Sequence, residues 1–242
     1  MIQSTITAVK AYFDAFETIN KLKLWKYFFI PILISAITAL IIGSITYFLS
    51  DDLGYYVAKI WPWEFGKETF TSIGNFLSGV AIVAIGFILY KHIVLALSSP
   101  FMGPVSQKIE EHFYGDQHTH RKITFSESLT RGIRISIRNI TRELSLTVLL
   151  LIMGLIPLIG LFSSVLLFLV QAYYAGFGNM DYTLERHYNY KDSITFVKRH
   201  RGTAIGNGII FMLFLLIPVV GVILVLPFSV TSATTETMKN IQ

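Results

Sequence analysis

The sequence predicts an all-α integral membrane protein: two long transmembrane helices, two re-entrant helical hairpins that penetrate partway, and short cytosolic or interfacial amphipathic helices. Three observations predict it. Hydrophobic residues make up 53% of the 242 and charged residues only 14%, against about 45–50% and about 25% in soluble domains. Four stretches carry no Asp, Glu, Lys, Arg or His: Tyr27 to Leu49, Thr69 to Tyr90, Leu144 to Met180 and Gly202 to Thr235. The last two each contain a Leu-Ile-Pro-x-x-Gly motif, at Leu155 to Gly160 and Leu216 to Gly221, an internal repeat of a turn. The same composition excludes intrinsic disorder, which needs low hydrophobicity and high charge.

Met1 to Lys26 is mixed and polar and has no cleavable-signal pattern. The first two uncharged runs, 23 and 22 residues long, match the roughly 20 that cross a hydrocarbon core about 30 Å thick. They are read as span 1 over 27–49 and span 2 over 69–97. The other two runs, 37 and 34 residues, are too long for one crossing. Divided by a short turn, the longer leaves arms of about 16 residues, or about 25 Å at 1.5 Å per residue. Hairpins over 144–180 and 202–235 follow, with Pro157, Gly160, Pro218 and Gly221 at their turns, all in a single domain of residues 1–242. The competing reading is a long tilted helix kinked at each proline.

Charge supplies orientation. Of 20 Lys and Arg, only Lys59 and Lys67 fall in the Ser50 to Glu68 loop, where Asp51, Asp52, Glu64 and Glu68 outweigh them. Positive-inside bias puts this loop outside and both termini in the cytosol, and Tyr55, Tyr56, Trp61 and Trp63 suit an outer aromatic belt. Between Phe125 and Leu144, Arg131, Arg134, Arg138 and Arg142 occupy one helical face, opposite Ile133, Ile137, Ile140 and Leu144. Such a basic amphipathic helix is expected in the cytosolic interface, against membrane lipids; a packed cytosolic helix with a solvated basic face is the alternative.

Catalytic signatures are missing: no G-x-S-x-G, no H-E-x-x-H, no P-loop, so neither catalytic residues nor a cofactor is expected. His112, His118 and His120, near Glu110, Glu111 and Asp116, match no metal-site spacing, and no metal is expected. The absence of cysteine removes disulfides and thiolate ligands. A net charge of +5 scattered among apolar segments points to anionic headgroups, with no nucleic acid partner. The uncharged runs offer no residue for a proton relay. Helix ends at membrane depth bind anions without charged side chains, and Ser163, Ser164, Gln171, Asn207, Thr231 and Ser232 add donors. These side chains equally serve helix–helix bonding, and Gly206 and Gly208 close packing.

Leu24-Trp25-Lys26-Tyr27-Phe28-Phe29-Ile30-Pro31, then Ser98-Ser99-Pro100-Phe101-Met102-Gly103-Pro104 leading into Lys108-Ile109-Glu110, and then both Leu-Ile-Pro-x-x-Gly turns, resemble the CysZ-like and etoposide-induced membrane protein family. The resemblance covers nearly the whole chain. It implies two crossing helices, two partly penetrating hairpins and a homo-oligomer. It also implies, for the bacterial branch, an inner-membrane permease for an inorganic anion such as sulfate or sulfite. That branch carries a Gly-Leu-Arg motif linked with sulfate binding upstream of the first span; the corresponding stretch here is Ala15-Phe16-Glu17-Thr18. Lys21, Lys23 and Lys26 are the substitute cations, as point charges without the guanidinium fork. The other expectation is a non-transporting scaffold or lipid-organising protein of the same family.

Overall fold

The computed structural model describes residues 2–60, 67–115, 121–154, 156–217 and 220–241. Among them the chain forms eight α-helices and no strand: α1 (Ile2–Lys21), α2 (Trp25–Ile60), α3 (Lys67–Tyr114), α4 (Phe125–Gly154), α5 (Pro157–His187), α6 (Tyr190–Arg199), α7 (Arg201–Leu215) and α8 (Val220–Ile241). Pro218, Trp61, Trp63, Glu64, Asp116, His118 and His120 lie outside the described residues. Three stretches, Trp25–Ile45, Ile85–Tyr114 and Gly160–His187, are long and apolar enough to cross a bilayer, and Arg201–Leu215 is a shorter apolar helix.

Local chemistry sets the helix ends. α1 closes on a left-handed Lys23, with φ 52°. The Leu24 N–H reaches back to the Ile19 carbonyl at 2.9 Å, and buried Leu24 packs in the same cluster as Ile19, the pattern of a Schellman cap. α4 opens on a capping box: the Thr124 N–H donates to Glu127 Oε2 at 2.9 Å, and the Glu127 N–H donates to Thr124 Oγ1 at 3.3 Å. Asn189 caps α6 by accepting from the N–H groups of Lys191 and Asp192.

The described residues of the two Leu-Ile-Pro-x-x-Gly motifs make the same backbone hydrogen bonds. The Ile156 N–H donates to the Met153 carbonyl and Gly160 N–H to Ile156; in the second turn Ile217 donates to Phe214 and Gly221 to Ile217. Pro157 opens α5, where its missing N–H costs no helical bond. Each glycine lies where its own hairpin's first arm comes close. A Cβ on Gly221 would sit 1.8 Å from the Phe214 carbonyl oxygen, and one on Gly160 2.8 Å from that of Gly154. The chain reverses at both motifs. Ser128 meets Glu185, Arg131 meets Asp181, and Lys91 bonds both Glu143 and the Gln171 carbonyl, so α4 and α5 run antiparallel. Asn207 bonds the Ser229 carbonyl while Phe214 lies against Gly221, so α7 and α8 do too.

Several lengths differ from the sequence expectation. Residues 50–60 and 67–68, expected in a loop, are helical; charge bias marks the side of a membrane, but a helix satisfies its own backbone on either side of the interface. The basic segment over 125–144 and the first arm of the 144–180 hairpin form one 30-residue helix, α4. The second arm, α5, has 31 residues because it runs past Met180 into the charged segment ending at His187.

The buried face of α4 is mostly polar: it buries Ser128, Ser136, Asn139, Glu143 and Thr147 together with Ile135 and Leu150, and it exposes Ile133, Ile137, Val148, Leu149 and Ile152 together with Arg134 and Arg142. The arrangement is stable where the surrounding solvent is hydrocarbon. α5 and α7 meet on a small-residue seam: a Cβ on Gly176 would stand 1.8 Å from the Ala204 carbonyl oxygen, and one on Gly208 1.7 Å from that of Ala172. α1 lies across this unit, with the Thr5 carbonyl 2.4 Å from a Cβ built on Gly206.

Candidate functional site

The inward face of α4 meets α3 and α5 in a seam of ionisable groups. Lys91 Nζ donates to Glu143 Oε1 at 2.5 Å and to the Gln171 carbonyl at 3.1 Å, while His92 Nε2 lies 2.9 Å from Glu143 Oε2. All three side chains are at most 1% exposed. Lys91 and His92 fall inside the apolar Ile85–Tyr114 stretch, which corrects the expectation that the membrane segments hold no ionisable group. Both lie within span 2 as bounded above, and they escape the uncharged-run criterion because they follow immediately on the run that ends at Tyr90, just as Glu143 immediately precedes Leu144. The available signal was that apolar residues continue beyond them, at Ile93, Val94, Leu95 and Leu97. Among the described residues, His92 Nδ1, Asn139 Nδ2 and Thr147 Oγ1 are buried here without a hydrogen-bond partner.

A second layer closes the seam beyond the apolar part of α5. Arg131 is bidentate to Asp181, at 3.0 and 2.8 Å, and also donates to the Tyr188 carbonyl and Ser193. Burial lowers the Arg131 pKa, but the Asp181 carboxylate outweighs it and holds the guanidinium above its ordinary value. Arg186 donates to Glu110, Ser106 and the Gly103 and Tyr182 carbonyls. His187 Nε2 lies 2.7 Å from Glu110 Oε1. Ser128 donates to Glu185, and Ser99 bonds Ser128 across the α3–α4 contact. A cleft of about 570 Å³ opens here, lined by Pro100, Gly103, Pro104, Arg121, Glu185 and Arg186 among others. The Ser98 to Pro104 motif thus contributes Pro100, Gly103 and Pro104 to one wall of the cleft, where a Cβ on Gly103 would stand 2.8 Å from Glu185 Oε1.

The remaining sequence candidates are dispersed. Lys21, Lys23 and Lys26 are exposed around the α1–α2 turn, with Lys26 stacked on Tyr27 at 5.2 Å. Glu17 is exposed on α1. The four arginines of α4 divide: Arg131 is bound as above, Arg134 stacks on Tyr190 at 4.0 Å, Arg138 lies 5.1 Å from the Phe177 ring centre, and Arg142 is exposed. Asn207 bonds Asn179 and the Ser229 carbonyl, Thr231 bonds the Pro227 carbonyl, Ser232 the Ala8 carbonyl and Ser164 the Gly160 carbonyl. These side chains bind helices to one another or to their own backbone. Among the described residues no group of three His, Asp or Glu is placed to hold a metal.

A family model described as Sulfate transporter CysZ/Etoposide-induced protein 2.4 matches residues 11–226. No curated protein matches the chain.

Proposed function

The chain belongs to the sulfate transporter CysZ/etoposide-induced protein 2.4 family, and from that premise we propose that it passes an inorganic anion, with sulfate as the first candidate, across a bacterial-type inner membrane. The observation that carries the reading is the polar part of the buried face of α4, which holds Asn139, Glu143 and Thr147, with Glu143 bonded to Lys91 and His92. Buried ionisable groups in an apolar stretch are costly and are retained where they line a pathway. In this reading the hairpins enter from the cytosolic side, where both termini also lie, and their turns at Pro157 to Gly160 and Pro218 to Gly221 stand near the path. Arginines of α4 raise the anion concentration at its cytosolic mouth, Lys21, Lys23 and Lys26 add charge there, and the working unit is a homo-oligomer without catalytic chemistry.

A scaffold role is the second reading, favoured by one observation: Lys91, Arg131 and Arg186 are each already paired with a carboxylate. Radiolabelled sulfate uptake into proteoliposomes separates the two. Permeation predicts saturable uptake that sulfite competes and that Glu143→Gln abolishes; uptake no higher than in protein-free vesicles, from folded protein, leaves the scaffold.

A further inference from the structure

Where α2 and α3 meet at one end of their apolar stretches, two lysines share a ring without sharing an acid. Lys26 Nζ lies 5.2 Å from the centre of the Tyr27 ring, and Lys108 Nζ of α3 lies 5.7 Å from the centre of the same ring. Both lysines are exposed, and among the described residues neither forms an ion pair. Of the acids beside Lys108, Glu110 is held by Arg186 and His187, and Glu111 accepts from Gln107. Trp25, at the start of α2, is partly exposed and donates its Nε1–H to Asn20, the two-sided contact of an aromatic at headgroup level. An apolar groove follows on the same line. It has a volume of about 250 Å³ and is lined by Ile34, Ile37 and Ile41 of α2 and Ile93 and Leu97 of α3, among others. Tyr27, Ile34 and Ile41 share a face of α2, and Lys108 and Leu97 a face of α3. Ile34 to Ile41 stand about 10–21 Å along α2 from Tyr27 at 1.5 Å per residue, a depth that brackets one leaflet of acyl chain, about 15 Å.

We propose that the α2–α3 face is a binding site for an anionic phospholipid, with its phosphate paired to Lys26 and Lys108 beside Tyr27 and an acyl chain in the isoleucine groove. Two ammonium groups drawn to one ring without a carboxylate repel each other, and an anion that pairs with both removes the repulsion. The positive end of the α2 dipole lies at the same place and adds to the attraction. Charge alone would suit any anion. The groove is what selects a lipid, because Ile37, Ile41 and Leu97 are exposed at its mouth and match hydrocarbon, and because it continues from the lysines to acyl-chain depth. The site stands apart from the buried Lys91–Glu143 pair and does not rest on the permease reading.

The test is native mass spectrometry of the purified full-length chain in neutral detergent. It is titrated with phosphatidylglycerol and phosphatidylcholine of the same acyl chains, and with glycerophosphoglycerol, the headgroup without chains. Saturable binding is expected for phosphatidylglycerol, tighter than for either of the others. Lys26→Gln/Lys108→Gln should weaken it about tenfold or more, towards the level of phosphatidylcholine. Lys191→Gln/Lys198→Gln, which removes the same charge from exposed positions of α6, should leave it unchanged. Ile37→Trp, at the mouth of the groove, should weaken both lipids. These substitutions change exposed residues, and an unchanged melting temperature in lipid-free detergent separates lost binding from lost fold. Equal affinity for the two lipids, equal binding of the free headgroup, or unchanged affinity in Lys26→Gln/Lys108→Gln overturns the site. A dimer that retains no lipid and that Ile37→Trp dissociates also overturns it, and assigns the groove to a second copy of this chain. Binding is read without flux, so sulfate uptake decides the permease separately.

Discussion

Lys91 and Glu143 show how much one pair commits. Both side chains are 0% exposed, so neither finds water if the other is removed. Lys91→Met or Glu143→Gln alone is expected to cost about 3–5 kcal/mol, and Lys91→Met/Glu143→Leu to recover most of it, since a buried pair is worth little more than an apolar replacement. Thermal unfolding of the three variants in detergent reads this out, and losses that simply add would deny the coupling. Lys23 offers the opposite case. It occupies the left-handed position of the α1 cap, which costs a residue with a Cβ about 1–2 kcal/mol. Lys23→Gly should therefore raise stability by about 1 kcal/mol, and if Lys23 also serves the anion, sulfate uptake should fall while the melting temperature rises.

Helices are where the sequence reads best and where its limits begin. The repeated Pro-x-x-Gly marks two chain reversals because proline suits a helix start, as Pro157 does at α5, and glycine tolerates a carbonyl at Cβ distance. The second glycine is the tighter: Gly221→Ala meets the Phe214 carbonyl at 1.8 Å, whereas Gly160→Ala meets that of Gly154 at 2.8 Å. A larger drop in melting temperature is expected for Gly221→Ala. Gly43→Ala, with nothing within 4 Å, should stabilise α2 by about 0.5–1 kcal/mol; equal effects at all three positions would contradict the packing. The capping box of α4 gives a pH dependence. The Thr124 N–H holds the exposed Glu127 carboxyl below its ordinary pKa, so its contribution is present at neutral pH and lost as pH falls through the folded pKa. The melting-temperature gap between wild type and Glu127→Ala should close in acid. Periodicity also separated the two faces of α4, and the structure turns the isoleucine face outward. What periodicity did not show is that the helix continues unbroken to Gly154, since a change from charged to apolar composition changes the surroundings of a helix and not its hydrogen bonds.

Among the described residues, apolar side chains such as Leu33, Leu40, Phe162 and Val165 face out, while the interior holds both apolar clusters and polar side chains, the packing expected when the solvent is lipid and small residues let backbones touch. Gly176 and Gly208 therefore set the α5–α7 spacing, and a side chain at either would separate the two hairpins. Membrane class, helical composition, the two chain reversals and the family signature are legible along the chain, because each is encoded in a run of neighbouring residues. The tertiary structure alone decided which polar side chains meet. Lys91 finds Glu143 52 residues away, and Arg131 finds Asp181 50 away. It also decided that two arginines of the same helical face part company, Arg131 neutralised by an acid and Arg138 left with Arg142 as its neighbour. Such pairings depend on the rotation and depth of each helix against its neighbours, and those are fixed by close packing at Gly132, Gly176 and Gly208, which a pattern along one chain does not specify.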